Sequence, residues 1–315
     1  MNKDWDGKRY HTLNYFLRNK FGCKIFKISL DAGFTCPNRD GKISTEGCIF
    51  CGPRGSGDFA GTASGLAEQF HEVRNMMNKK WKTGKYIAYF QAFTNTYADV
   101  ETLRKKYYSI LGMEDVVGIA IATRPDCLPE DVLELLEEIN NKTYMWIELG
   151  LQTVHERTAK IINRGYGLDA YIASVSELKK RNIEIVTHGI LGLPGEDKGE
   201  MLQTVDFIAN TGTQGIKLHL LHLLKGTKLE EMYRHGEFQL MSMEDYVATV
   251  VDCIERIPGD MIIHRITGDG PRDTMIGPMW SLKKFEVINA IDHLMMDRDT
   301  WQGKKYVGKS KKYVP

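Results

Sequence analysis

The 315-residue chain is predicted to be an α/β protein whose parallel sheet curls into a barrel or partial barrel. Two observations carry this. Short runs rich in Ile, Val and Leu alternate six times with longer amphipathic stretches, as strand–helix units do. Helix-stopping residues also fall where each unit has to turn back.

The strands are expected at 24–30, 85–93, 116–122, 144–149, 183–191 and 215–223. The intervening helices are expected at 63–80, 100–111, 130–140, 155–162, 169–181 and 198–210. Pro129 stands just before the third helix, and the Asn140-Asn141 pair follows it. Asn182 and Gly212 end the fifth and sixth. Beyond Ser242 come a helix at 242–256, a strand at 261–266, a helix at 282–295 and a basic tail. The expected organisation is a basic N-terminal segment (1–23), a core (24–240), an extension packed on the barrel (241–297) and a basic tail (298–315). In such a fold the loops after the strands carry the chemistry.

Hydrophobic residues at 42% and charged residues at 26% are ordinary for a globular protein. No apolar stretch approaches the ~20 residues that span a bilayer, and the N-terminus lacks the apolar core of a signal peptide. A cytoplasmic protein with no membrane partner is therefore expected. Six cysteines are too few for a disulfide scaffold in a chain of this length and point instead to metal or catalysis. Net charge is +1, yet Lys and Arg gather at both ends and leave the body acidic. Such ends suit a polyanion, though solvated termini are often basic as well.

Three cysteines fall in one Gly-rich loop after the first strand, in FTCPNRDGKISTEGCIFCG: Cys36, then Cys48 and Cys51 as a C-x-x-C pair. Three thiolates with no evident fourth ligand suit a 4Fe–4S cubane with one open iron, which could bind the amino and carboxylate groups of S-adenosylmethionine (SAM). The alternatives are a zinc site and a redox pair at Cys48 and Cys51. The first needs a further ligand that the loop does not hold, and the second leaves Cys36 unexplained. Cys127 and Cys253 read as buried thiols, and Cys23 precedes the strand.

With FTCPNRDG…GCIFC, YFQAFTNTYA, IATRPDCL, IELGLQTV…INRGY and HGILGLPGE in this order, the chain resembles the radical SAM superfamily. The likeness covers about residues 24–266. It is strongest to a stand-alone bacterial family in the branch of the Elongator catalytic subunit, without that subunit's acetyltransferase domain. The resemblance implies a partial (β/α)6 TIM-type barrel of the radical SAM type with a C-terminal extension, one 4Fe–4S cluster on Cys36, Cys48 and Cys51, and SAM as cofactor. It implies that Phe50 lies against the adenine and that Gln91, Phe93 and Thr94 meet the SAM amino group, although this run departs from the family's Gly-Gly. It places Glu148 and Gln152 near the ribose and methionyl portions, Arg164 on the SAM carboxylate, His188 at a polar SAM position, and Leu193 in the turn beneath the adenine. Arg124, in TRPD, either meets substrate or holds a loop through Asp126; Ala122 stands where relatives often have Glu.

The branch acts on the wobble uridine of transfer RNA, so the resemblance implies a transfer RNA partner. The specific expectation is conversion of 5-carboxymethylaminomethyluridine to 5-aminomethyluridine, by hydrogen abstraction next to nitrogen and loss of the carboxymethyl group. A flavodoxin or ferredoxin type electron donor is expected. The tail interleaves Trp301, Tyr306 and Tyr313 with Lys304, Lys305, Lys309, Lys311 and Lys312, a pattern able to stack on bases and meet phosphates, or simply a solvated tail. Two other functions compete: a radical SAM enzyme for a small metabolite or tetrapyrrole, and a non-catalytic zinc-binding RNA adaptor.

Overall fold

A computed structural model describes residues 4–55, 57, 60–61, 63–79, 84–268 and 270–308. Its spine, among the described residues, is a seven-stranded parallel sheet. The strands are β1 (Ile25–Leu30), β2 (Lys85–Phe90), β3 (Val116–Thr123), β4 (Tyr144–Gln152), β5 (Glu184–Leu191), β6 (Gly215–Leu220) and β8 (Ile262–Arg265), in that spatial order. Helices α2 (Leu66–Asn78), α3 (Val100–Leu111), α4 (Glu130–Asn140), α5 (Glu156–Ile161), α6 (Leu168–Lys180) and α7 (Lys198–Asn210) make the return crossings. This is the curled half-barrel that the alternation predicts.

Local chemistry sets the helix boundaries. Asp99 accepts the Thr102 N–H to start α3, and Asp197 with Glu200 forms a reciprocal capping box on α7. Asn182 and Gly212 adopt left-handed backbone at φ 53° and 74°, turning the chain after α6 and α7.

Each strand sends alternate side chains to opposite faces. Outward residues such as Ile119, Ile121, Ile147 and Leu149 pack under the helices in the main core. Inward residues form layers. The lowest holds Ile25, Ile87, Ala120, Trp146 and Val186, closed from below by Leu17 of α1 (Leu13–Phe21). Above it lies a layer of charged and polar side chains, and above that the strand ends.

Four features escape the sequence reading. Helix α1 forms inside the basic N-terminal segment, capped by Thr12 and stopped by Gly22 at φ 68°. The strand expected at 261–266 pairs with β6 and so extends the barrel sheet itself. A two-residue strand β7 (Leu223–Leu224) pairs antiparallel with β9 (Met275–Gly277) above the cavity, followed by α8 (Lys228–Arg234). Finally, α9 (Met243–Arg256) and α10 (Lys284–Asp297) lie against each other, and residues 300–306 fold back on α9 rather than trailing away.

Candidate active site

Cys36, Cys48 and Cys51 are free thiols lining one cavity of about 300 Å³ at the C-terminal ends of the strands. Their loop is held by polar side chains. Arg39 Nη2 donates to the carbonyls of Cys51 (2.8 Å) and Gly52 (2.7 Å). Asn38 Nδ2 donates to Asn163 O at 2.6 Å and faces Cys48 Sγ at 3.7 Å. Arg124 Nη1 donates to Arg164 O at 3.0 Å and faces Cys36 Sγ at 3.9 Å. A hydrogen bond from Cys51, with Arg124, Asn38 and Arg39 nearby, overcomes burial and brings the Cys48 thiol down to about 7.

The same hydrogen bond, with burial, pushes the Cys51 thiol well above its ordinary value, so the neighbouring N–H groups and positive charge favour the thiolate at Cys48. Among the described residues, no three His, Cys, Asp or Glu side chains converge on a single ion. Three free thiols from one loop can supply the three thiolates of a 4Fe–4S cubane with one open iron.

Of the other expected site residues, Phe50, Gln91, Phe93, Thr94, Arg124, Glu148, Gln152, Arg164 and His188 line this same cavity. Phe50 packs against a buried apolar cluster that holds Leu193 together with Ile162, Ile190 and Leu221. Gln91 accepts from Ser29 Oγ at 3.0 Å. Thr94 is buried, its amide bonded to Thr35 O at 3.2 Å. Phe93 and Gln152, at the ends of β2 and β4, hold left-handed backbone at φ 57° and 68°. Such conformations cost non-glycine residues energy and cluster at functional sites.

Arg124 grips Asp126 with Nε (2.9 Å) and Nη2 (2.7 Å), so of the two roles open in the sequence the loop-holding contact is made. Arg164 is fully buried, donating to the carbonyls of Leu151, Thr153 and Tyr166 and to Glu156. Four of its five N–H groups are thus committed within the chain. The guanidiniums of Arg124 and Arg164 both lie over the Tyr166 ring, at 4.6 Å and 4.8 Å from its centre.

The charged layer beneath centres on Glu148, which has no exposed surface. It accepts from Tyr89 Oη (2.6 Å), Trp146 Nε1 (3.0 Å), His188 Nε2 (2.9 Å) and Lys217 Nζ. Lys27 Nζ stands 3.8 Å away. Burial alone would raise the Glu148 pKa, but Lys217 and Lys27 hold it well below the usual carboxylate range. His188 falls to about 4 through burial, with Lys217 adding to the effect, and is neutral at pH 7. Its ring packs on His219 at 4.9 Å.

Sequence reasoning missed Tyr89, Lys217, His219 and Arg265, all of which line the cavity. A signal existed: in GIKLHL of β6, Lys217 and His219 occupy alternate positions of a buried strand, hence one face.

Lys304 and Lys305 are elsewhere. Lys304 donates to Asp299 O (2.6 Å), and Lys305 pairs with Glu255 Oε2 (2.5 Å) near the end of α9. Gln302 bonds the carbonyls of Pro258 and Met261, just ahead of β8. These contacts lie at the strands' N-terminal ends, opposite the cavity. Lys309, Lys311, Lys312 and Tyr313 fall outside the described residues.

Residues 39–208 match the Radical SAM superfamily, and residues 213–297 match the Radical_SAM C-terminal domain. The chain belongs to the radical SAM superfamily. Its cofactors are accordingly a 4Fe–4S cluster and SAM, and like other radical SAM enzymes it needs a reductant. It is similar to the Bacillus subtilis (strain 168) protein named Uncharacterized protein YtqA, 56% identical over 298 residues, covering 94% of this chain and 92% of that one. It is also similar to Elongator complex protein 3 of Mus musculus, 29% identical over 170 residues, covering 52% of this chain and 30% of that one. Among solved structures, the archaeal Methanocaldococcus infernus Elp3 with an N-terminal deletion shares the fold. Its TM-score is 0.66 at 15% identity, covering 88% of this chain and 64% of that one. No helix among the described residues is long and apolar enough to cross a membrane.

Proposed function

We propose that this radical SAM enzyme holds its cluster on Cys36, Cys48 and Cys51 and modifies transfer RNA. The reaction proposed is removal of the carboxymethyl group from 5-carboxymethylaminomethyluridine at the wobble position, leaving 5-aminomethyluridine. The observation that carries this reading is the cavity itself: three thiols in its lining, and cations there outnumbering carboxylates, suited to an anionic substrate. The similarity to Elongator complex protein 3 supports it. When bound, the cluster would supply one electron for the reductive cleavage of SAM.

The chain's own residues bind and orient. Phe50 offers an apolar face to adenine, and Gln91, Phe93, Thr94 and Gln152 present polar or strained backbone groups to the methionyl and ribose portions. Arg164 and Arg124 position the walls through carbonyls and Asp126. Glu148 and His188 hold the charged layer in place. The target base has to turn out of its stack to enter, and a flavodoxin or ferredoxin serves as reductant.

Nucleoside mass spectrometry of transfer RNA from cells with and without the protein tests this. Accumulated 5-carboxymethylaminomethyluridine in the deletion is expected; unchanged wobble uridines remove the RNA reading.

One observation favours a second reading, a small metabolite or tetrapyrrole as substrate. Lys304 and Lys305 lie at the far end of the barrel, tied to Asp299 and Glu255 rather than ringing the mouth. That reading predicts no RNA affinity and no salt dependence.

A further inference from the structure

The cluster loop does more than carry three thiols: it closes around the end of β2. Thr35 O accepts the Thr94 N–H at 3.2 Å, the Arg39 guanidinium lies 5.5 Å from the centre of the Phe93 ring, and Gly57 abuts Ala92. Two glycines allow the close approach. A Cβ on Gly55 would stand 3.0 Å from Phe93 Cδ1, and one on Gly47 would stand 3.0 Å from Arg39 Nε. Both have positive φ, at 60° and 74°, which glycine adopts freely.

Phe93 itself has φ 57°, a left-handed conformation that costs a side-chain-bearing residue energy and persists only where its surroundings over-determine it. The loop supplies those surroundings. Arg39 donates through Nη2 to the carbonyls of Cys51 (2.8 Å) and Gly52 (2.7 Å), so one side chain reaches from the C-x-x-C pair to the Phe93 ring. An apolar side chain would fill the same space, but it could not fix the loop carbonyls and the ring relative to each other. A guanidinium does both, through hydrogen bonds and a cation–π contact.

We propose that Arg39 is a positioning residue that couples the cluster loop to the SAM wall. It holds Phe93 in its left-handed conformation, so that Phe93 and Thr94 line the cavity where SAM binds. This rests on placing the cluster on Cys36, Cys48 and Cys51 and SAM against the end of β2, and it is independent of the RNA reading. Seating the cluster and shaping the SAM wall are then one event, because the loop that carries the thiols also clasps Phe93.

The test follows SAM affinity in anaerobically reconstituted protein, by equilibrium dialysis and by the SAM-induced change in the EPR spectrum of the reduced cluster. Arg39→Lys keeps the charge and loses the fork. It should retain iron content and absorbance while its Kd for SAM rises by about tenfold, the scale of one strained residue set free. The deciding variant is Phe93→Gly in the Arg39→Lys background. Glycine takes positive φ freely, so affinity should return towards the wild-type value when Arg39 acts through the Phe93 backbone. Unchanged affinity in Arg39→Lys, or no recovery with glycine, overturns the proposal. Should Arg39→Lys fail to take up iron, the comparison moves to Phe93→Leu and Phe93→Gly with Arg39 intact. Both lose the ring, and only leucine should weaken SAM binding; equal affinities overturn the proposal. Failure of the ligand assignment shows elsewhere, as a Cys48→Ala protein that keeps its cluster absorbance, and the proposal falls with it.

Discussion

At the scale of single residues, the cysteines and the buried carboxylate make the sharpest demands. Cys48→Ala should abolish the cluster absorbance of anaerobically reconstituted protein, and SAM cleavage with it. Glu148→Gln leaves Lys217 and Lys27 without a counter-charge, and breaking such a buried pair costs about 3–5 kcal/mol, measurable by urea unfolding. pH gives an independent check. His188 sits at about 4 when folded and about 6.5 when unfolded, so the unfolded chain binds the extra proton between those values. Stability should therefore fall as pH drops from about 6.5 towards 4, by about 3 kcal/mol in all, and His188→Asn should flatten that slope. The depressed Glu148 acts in the same direction lower down, its contribution present above about 4.3 and lost as pH falls below. What the sequence could show at this scale was uneven. Clustered cysteines announce themselves by spacing, whereas Lys217, Tyr89 and Arg265 sit singly in apolar runs and acquire meaning only once strands far apart in sequence point them at one another.

At the scale of elements, periodicity made the six strand–helix units legible because both faces of each strand are covered and the runs are apolar. It failed for α1, a nine-residue helix in which Leu17 alone is fully buried, and for β7, too short to show a period. Yet α1 closes the barrel floor. Leu17→Ala should cost about 2–5 kcal/mol in denaturant unfolding while leaving cluster absorbance intact, since the cavity lies at the other end of the strands. The ribbon of β7 and β9 eluded the sequence for a different reason: its pairing is set by the loops it bridges, and no local propensity specifies that.

At the scale of the whole molecule, charge distribution is the instructive case. Basic termini suit contact with a polyanion. The fold instead brings the described parts of both ends together beneath the barrel, where Arg9 meets Asp299 (3.1 Å) and Lys8 meets Asp292. Composition cannot reveal this, because it counts charges without their neighbours. Lys305→Ala should lower stability by about 1 kcal/mol in thermal unfolding, through loss of the Glu255 pair, and leave the affinity for a stem-loop unchanged. The interlocked ends also have a practical side. His11 N bonds Gln302 Oε1 at 2.7 Å, so the described ends leave from one pole. An affinity handle or surface tether attached there would hold the protein upright, with its reactive opening turned to the solution for spectroscopy or immobilised assays.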